Sequence, residues 1–87
     1  MARILIIDDD RQARNVLKQI LSRAGYDVVE AQDGVEGVRL FQTAPADLVI
    51  TDILMPEKEG LETIQELRQS APQVKIIAIS GGGKKGI

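Results

Sequence analysis

Acidic residues directly follow two of the short apolar runs in this 87-residue sequence. Asp8-Asp9-Asp10 follows the first run, Asp52 follows the third, and the hydroxyl of Ser80 follows the fourth. Carboxylates that share one cleft repel each other unless a cation lies among them, and a hard divalent ion such as Mg²⁺ suits their oxygen atoms. A carboxylate beside such an ion can attack phosphorus and form an acyl phosphate. These residue types therefore indicate Mg²⁺-dependent phosphoryl chemistry.

Four β-branched runs predict the strands that position these groups. They are Arg3–Ile7, Tyr26–Glu30, Leu48–Thr51 and Val74–Ile79. Their alternation with longer segments of helical spacing predicts a parallel sheet with right-handed crossovers and helices on its faces. In such a sheet, ligands bind outside the carboxyl ends of the strands, where the strand order reverses. Asp8, Asp9 and Asp52 therefore converge if the first and third strands are neighbours.

Three segments between these runs have the spacing of amphipathic helices. The first has Asp10 as its N-cap, Gly25 just beyond its end, and an apolar stripe of Ala13, Val16, Leu17, Ile20, Leu21 and Ala24. The second begins at Asp33 and is predicted to face inward through Val35, Val38 and Phe41. The third spans about Gly60 to Ser70 and is predicted to face inward through Leu61, Ile64 and Leu67.

Apolar content also predicts which strands are covered. Ile4–Ile7 and Ile76–Ile79 are continuously apolar, which is typical of strands covered on both faces. Tyr26–Glu30 is mixed and is expected at an edge of the sheet.

Composition and charge narrow the class of protein. Hydrophobic residues make up 44% and charged residues 28%, which is typical of one globular domain in residues 1–87. The net charge of −2 provides no strong field for nucleic acid or an anionic membrane. The chain has no cysteine, so disulfides and thiolate metal sites are excluded. The first apolar run is too short for a signal peptide, and we expect a cytoplasmic protein.

Three sequence features together resemble the receiver domain of response regulators. They are the acidic pair after Ile4–Ile7, the segment Asp52-Ile53-Leu54-Met55-Pro56 followed by Gly60, and Ser80 after Ile76–Ile79. The resemblance extends from Arg3 to about Gly82. It implies a flavodoxin-like (CheY-like) α/β fold with three layers and a parallel sheet, here of four strands in the order 2-1-3-4 with three helices. It also implies a signalling module of a two-component phosphorelay, not an enzyme, with a histidine kinase or phosphotransfer protein as donor.

The resemblance assigns a role to each site residue. Asp52 is the expected phosphoacceptor. Asp9, Asp52 and the backbone carbonyl of Leu54 are the expected Mg²⁺ ligands, and Asp8 is expected to act mainly through a metal-bound water. The hydroxyl of Ser80 is expected to bond the phosphoryl oxygen and to report phosphorylation to the rest of the domain.

The sequence departs from the receiver pattern at its C-terminal end. A complete receiver continues with a fourth helix, a fifth strand carrying a phosphate-binding lysine, and a fifth helix. Residues 1–87 are therefore expected to be an incomplete receiver, with phosphoryl transfer to Asp52 impaired by the truncation. Lys84 and Lys85 follow Ser80 but are most simply two solvated lysines. The fourth strand would then be an exposed edge, which invites pairing with another chain. We therefore expect a homo-oligomer, in particular a dimer that covers the fourth strand and first helix, or else a fragment of a longer protein.

Two other functions compete with this interpretation. One is a receiver-derived assembly or binding module without phosphotransfer, because the lysine is missing. The other is a phosphatase of the haloacid-dehalogenase type, because Asp8 and Asp10 have the spacing of its two acids. Arg11 and Gln12 do not match the residues that follow in those enzymes, and the chain is too short for the rest of such a site.

Overall fold

Four parallel strands and three helices make up the described part of the chain. The computed structural model describes residues 2–53 and 60–79. The elements in chain order are β1 (Arg3–Ile7), α1 (Arg11–Arg23), β2 (Asp27–Ala31), α2 (Gly34–Thr43), β3 (Leu48–Asp52), α3 (Gly60–Ser70) and β4 (Lys75–Ile79). The strands form one parallel sheet in the order β2-β1-β3-β4. This order confirms the predicted fold and makes β1 and β3 neighbours.

Strand limits differ from the predicted ones by about one residue, because turns take up their first residues. The amide of Tyr26 donates to the carbonyl of Leu21 at 3.1 Å, so it belongs to the end of α1 and not to β2. In the same way the amide of Val74 donates to Ala71 at 3.1 Å, in the turn that follows α3. At the other end of β3, Asp52 pairs with Ile79 and extends the strand.

The hydrophobic core lies between the sheet and the helices α2 and α3. Its buried members are Leu5, Ile7, Ala31, Val38, Phe41, Ala46, Val49, Leu67 and Val74. Successive side chains of a strand point to opposite faces, so Ile4 and Ile6 of β1 are buried on the other face of the sheet. Helix α1 packs against β1 and β2 there. The layers are therefore α1, the sheet, and the pair α2 and α3.

Helix caps fix where α1 and α2 begin, as the sequence predicted. The Asp10 carboxylate accepts hydrogen bonds from the amides of Gln12 and Ala13 at 3.0 and 3.4 Å. The Asp33 carboxylate accepts one from the amide of Glu36 at 2.8 Å. These bonds satisfy amides that have no partner within the helix. The cap at Asp10 starts α1 directly after Asp8 and Asp9, and so determines how the chain leaves the end of β1.

Two residues predicted to face inward do not. Val35 and Leu61 are both exposed. The buried positions of α2 are Gly34, Gly37, Val38 and Phe41, and those of α3 are Gly60, Thr63 and Leu67. Each helix therefore buries a stripe that begins one residue earlier than predicted, and small or polar residues occupy part of it.

The prediction that β4 is covered on both faces is also wrong. Ile77 is 49% exposed, and Lys75 and Ala78 are exposed as well. Strand β4 lies at the edge of the described sheet, while α1 packs against β1 and β2. Although the apolar run of β4 is continuous, the described part of the chain leaves one face of this strand exposed. None of the helices in residues 2–53 and 60–79 combines the length and apolarity needed to cross a membrane.

Candidate functional site

Three carboxylates meet at the C-terminal edge of the sheet. One oxygen each from Asp8, Asp9 and Asp52 lies within 4.8 Å of the others. Asp8 and Asp52 are buried, while Asp9 is exposed. The adjacency of β1 and β3 in the sheet produces this arrangement, because their carboxyl ends lie side by side. We call these three residues the acidic cleft.

Asp8 is held from three sides by its neighbours in the fold. Its amide donates to the carbonyl of Ala31 at the end of β2, at 3.1 Å. Its carboxylate oxygen Oδ1 accepts from the amide of Asp10 at 2.9 Å. Its own carbonyl accepts from the guanidinium Nη1 of Arg14 at 2.7 Å. The turn that carries Asp8 and Asp9 is therefore fixed by β2 on one side and α1 on the other.

Asp52 is held by the backbone around the end of β3. The amide of the next residue, Ile53, donates to the carbonyl of Ile79 in β4 at 2.8 Å. The amide of Gly60, at the start of α3, donates to the carbonyl of Ile53 at the same distance. The hydroxyl of Thr51 donates to the Asp52 carbonyl at 3.1 Å. Both β4 and α3 therefore determine the position of Asp52.

The chemistry of the acidic cleft fits Mg²⁺. This ion prefers oxygen ligands and is commonly held by one or two carboxylates, with the remaining positions left to water or phosphate. Three carboxylates at this spacing also concentrate like charge, two of them out of contact with solvent. A divalent cation relieves that repulsion. Asp8, Asp9 and Asp52 are thus the described residues that would hold the metal.

The other candidate residues from the sequence are Leu54, Ser80 and Asp10, and the structure describes only Asp10. Leu54 and Ser80 lie outside the described residues. The Asp10 carboxylate is engaged as the cap of α1 and lies outside the group of acids that could hold a metal. The phosphatase interpretation, which needs Asp8 and Asp10 as a pair, therefore gains no support.

Sequence reasoning missed a second polar cluster next to the acidic cleft. The carboxylate of Glu30 in β2 binds Nε of Arg14 at 3.3 Å and Nζ of Lys18 at 3.1 Å. The four-residue spacing of the two cations places them on one side of α1. Burial would raise the pKa of Glu30, but the hydrogen bonds and positive charges of Lys18 and Arg14 outweigh it and lower the pKa below the ordinary value of 4.5. Only the helical spacing of the two cations hinted at this cluster.

Glu30→Gln is expected to remove a pH-dependent part of the stability. Because the folded pKa of Glu30 lies below the unfolded value, its ion pairs stabilise the fold fully above about pH 4.5 and are lost as the pH falls through the folded pKa. The free energy of unfolding of wild type should exceed that of Glu30→Gln by up to about 1 kcal/mol near neutral pH, and by less in acid. Urea unfolding at several pH values measures this difference, and a difference that grows in acid would contradict the assignment.

The comparisons with known proteins agree with the fold. The family described as the response regulator receiver domain matches residues 4–86. The match covers nearly the whole chain, and the chain belongs to this family of two-component signalling domains.

Relatives and solved structures show the same similarity. The transcriptional regulatory protein CpxR of Klebsiella pneumoniae is 36% identical over 98% of this chain, which spans 36% of that protein's length. The structure of the chemotaxis protein CheY4 of Vibrio cholerae superposes with a TM-score of 0.88 at 31% identity, covering 98% of this chain and 76% of that one. The response regulator TrrA of Thermotoga maritima, solved in complex with Mg²⁺-BeF, has a TM-score of 0.86 at 41% identity, covering 90% and 68%.

Proposed function

We propose that this chain is a phosphoacceptor module of a cytoplasmic two-component phosphorelay and that Asp52 takes the phosphoryl group. Residues 1–87 act as one domain in this proposal. Asp9, Asp52 and the carbonyl of Leu54 hold Mg²⁺, while Asp8 acts indirectly and the Ser80 hydroxyl bonds the phosphoryl oxygen. The observation that supports it most is the meeting of Asp8, Asp9 and Asp52 within 4.8 Å in a chain of the receiver family.

Phosphoryl transfer to Asp52 needs little covalent chemistry from the protein. A carboxylate oxygen of Asp52 forms a bond to phosphorus while the bond from phosphorus to the donor's histidine nitrogen breaks. The nitrogen keeps the electron pair of that bond, and the product is an acyl phosphate. The buried position of Asp52 limits the access of water that would hydrolyse it. Bound Mg²⁺ would supply positive charge to offset the charge on the phosphoryl oxygens.

A histidine kinase or a phosphotransfer protein is the proposed donor. TrrA, which resembles this chain, has also been solved in complex with the histidine kinase ThkA. In that structure TrrA superposes on this chain with a TM-score of 0.84 at 41% identity, covering 90% of this chain and 67% of the other. The same class of donor is proposed here because the two chains share the receiver fold.

Phosphorylation by a small donor tests the proposed function without a cognate kinase. Acetyl phosphate with Mg²⁺ should add one phosphoryl group to the wild-type chain, seen as a mass increase of the intact protein. Chelation of Mg²⁺ should prevent the increase. A chain that binds Mg²⁺ but gains no mass would instead favour the assembly module without phosphotransfer.

A dimer through β4 and α1 is the proposed assembly. Lys18 lies on the flank of α1 nearest β2, where it binds Glu30. Because a helix turns about 100° per residue, Val16 and Ile20 lie on the opposite flank, toward β3 and β4. These two side chains are 57% and 58% exposed, and Ile77 of β4 is exposed on the same face of the sheet. A second copy would cover this apolar face and pair with the edge of β4.

Light scattering behind a sizing column tests the dimer. The mass at micromolar concentration should be about twice the 9.5 kDa of one chain. Ile77→Glu should reduce it to the monomer value because it places a charge in the buried interface. Val35→Glu is the matched control, since Val35 is equally apolar and exposed but lies on α2. A folded wild-type monomer would contradict the proposal.

A further inference from the structure

We propose that Arg14 is a positioning residue, which holds the turn carrying Asp8 and Asp9 in the conformation that binds a divalent cation. The proposal rests on the proposed function in one respect, namely that the acidic cleft binds Mg²⁺. It assigns to Arg14 a role in the geometry of the acidic cleft and no contact with the ion.

Arg14 connects three parts of the fold through one guanidinium group. Its Nη1 donates to the carbonyl oxygen of Asp8 at 2.7 Å, and its Nε donates to Oε1 of Glu30 at 3.3 Å. Its side chain is only 14% exposed, although it belongs to a helix without a fully buried residue. Through it, α1 and β2 both act on the turn that follows β1.

The two bonds of Arg14 need an arginine. A guanidinium is planar and presents several N–H donors in a fixed fork, so it can bind two acceptors in different directions at once. An ammonium is a compact point charge on a flexible stem, as in Lys18, which binds the other oxygen of Glu30. Lys18 already gives Glu30 one cation, so the contact of Arg14 with Asp8 is a separate contribution.

Loss of the Arg14 side chain would free the peptide that links Asp8 to Asp9. The carbonyl of that peptide is the acceptor of the 2.7 Å bond. The amide of Asp8 would still be held by Ala31, but the bond from the Asp10 amide to the Asp8 carboxylate closes the turn over the freed peptide and would open more often. Asp9 follows the freed peptide directly and is the exposed member of the acidic cleft. Its carboxylate would therefore lose one of the constraints that position it beside those of Asp8 and Asp52.

Three variants separate positioning from charge and from general stability. Arg14→Met keeps an unbranched apolar stem and removes both bonds, whereas Arg14→Lys keeps the charge but not the fork. Lys18→Met is the matched control, because it removes a cation from the same Glu30. Two measurements are made on each: Mg²⁺ affinity by calorimetry, and hydrogen exchange of the Asp10 amide by NMR without Mg²⁺. Urea unfolding establishes that each variant is folded.

Arg14→Met should weaken Mg²⁺ binding by about tenfold, since loss of a group that orients metal ligands typically costs 10–100-fold in affinity. It should also speed exchange of the Asp10 amide, which donates to the Asp8 carboxylate. Arg14→Lys should stay folded and still lose most of that affinity, while Lys18→Met should change affinity less than about twofold.

The positioning role is wrong if Arg14→Met binds Mg²⁺ with wild-type affinity and its Asp10 amide exchanges at the wild-type rate. It is also wrong if Lys18→Met loses as much Mg²⁺ affinity as Arg14→Met. If Arg14→Met does not fold, the comparison of Arg14→Lys with Lys18→Met decides in its place. A wild-type chain that binds no Mg²⁺ contradicts the proposed function instead. Exchange of the Asp10 amide, measured without the ion, then still decides whether Arg14 holds the turn.

Discussion

Mg²⁺ at one hundred times its dissociation constant is expected to raise the free energy of unfolding of the wild-type chain by about 2.7 kcal/mol. The acidic cleft exists only in the folded chain, because Asp8 and Asp9 come from the end of β1 and Asp52 from the end of β3. An ion that binds the folded state alone stabilises it by mass action. Urea unfolding followed by circular dichroism, with Mg²⁺ and with a chelator, measures the increment.

Asp9→Asn should lose most of this increment and should be more stable than wild type without Mg²⁺. The substitution removes the exposed member of three like charges within 4.8 Å, and the repulsion that it relieves is of the order of 1–3 kcal/mol. Asp10→Asn is the matched control, since asparagine also serves as an N-cap and position 10 lies outside the acidic cleft. An equal Mg²⁺ increment in wild type and Asp9→Asn would contradict the metal assignment.

Gly60→Ala is expected to destabilise the chain by about 3 kcal/mol and to weaken Mg²⁺ binding. A Cβ at this position would lie 2.5 Å from the Cα of Ile53 and closer still to the carbonyl oxygen of Asp52. Both obstacles are backbone atoms, so the chain around Asp52 must shift to admit the methyl group. The same urea titrations, with and without Mg²⁺, measure both effects.

Gly25→Ala provides the control for a glycine substitution without crowding. A Cβ there would meet nothing within 4 Å, but the residue has a φ of +97° at the end of α1. Alanine is disfavoured in a left-handed backbone conformation, so the free energy of unfolding should fall by about 1–2 kcal/mol. The Mg²⁺ affinity should not change. If Gly60→Ala lowers the free energy of unfolding no more than Gly25→Ala does, the close approach of α3 to Asp52 is not as the structure describes it.

Local sequence signals were sufficient to predict the order of strands and helices along the chain and the residues at which α1 and α2 begin. Asp10 and Asp33 cap their helices through short-range bonds that depend on few other residues, and the structure confirms both caps. The alternation of strands and helices likewise predicted a parallel sheet, whereas its strand order of β2-β1-β3-β4, now confirmed, was implied by the resemblance to receiver domains. This order is what brings Asp8, Asp9 and Asp52 together, so the acids of the site followed from the fold.

Features that depend on tertiary packing could not be predicted in the same way. Val35 and Leu61 belong to apolar stripes, but the buried face of each helix is set by where it meets the sheet, and Gly37 and Thr63 occupy that face instead. The bond from Arg14 to the carbonyl of Asp8 involves a backbone acceptor, which leaves no trace in residue types.

The most direct measurement of the central claim is the site of phosphorylation in wild type and two variants. After incubation with acetyl phosphate and Mg²⁺, intact mass and peptide mapping should place one phosphoryl group on Asp52 in wild type and Asp10→Asn. Asp52→Asn should gain none, because its amide cannot form an acyl phosphate. Phosphorylation of Asp52→Asn to the wild-type level, or mapping of the group to another residue, would contradict the account.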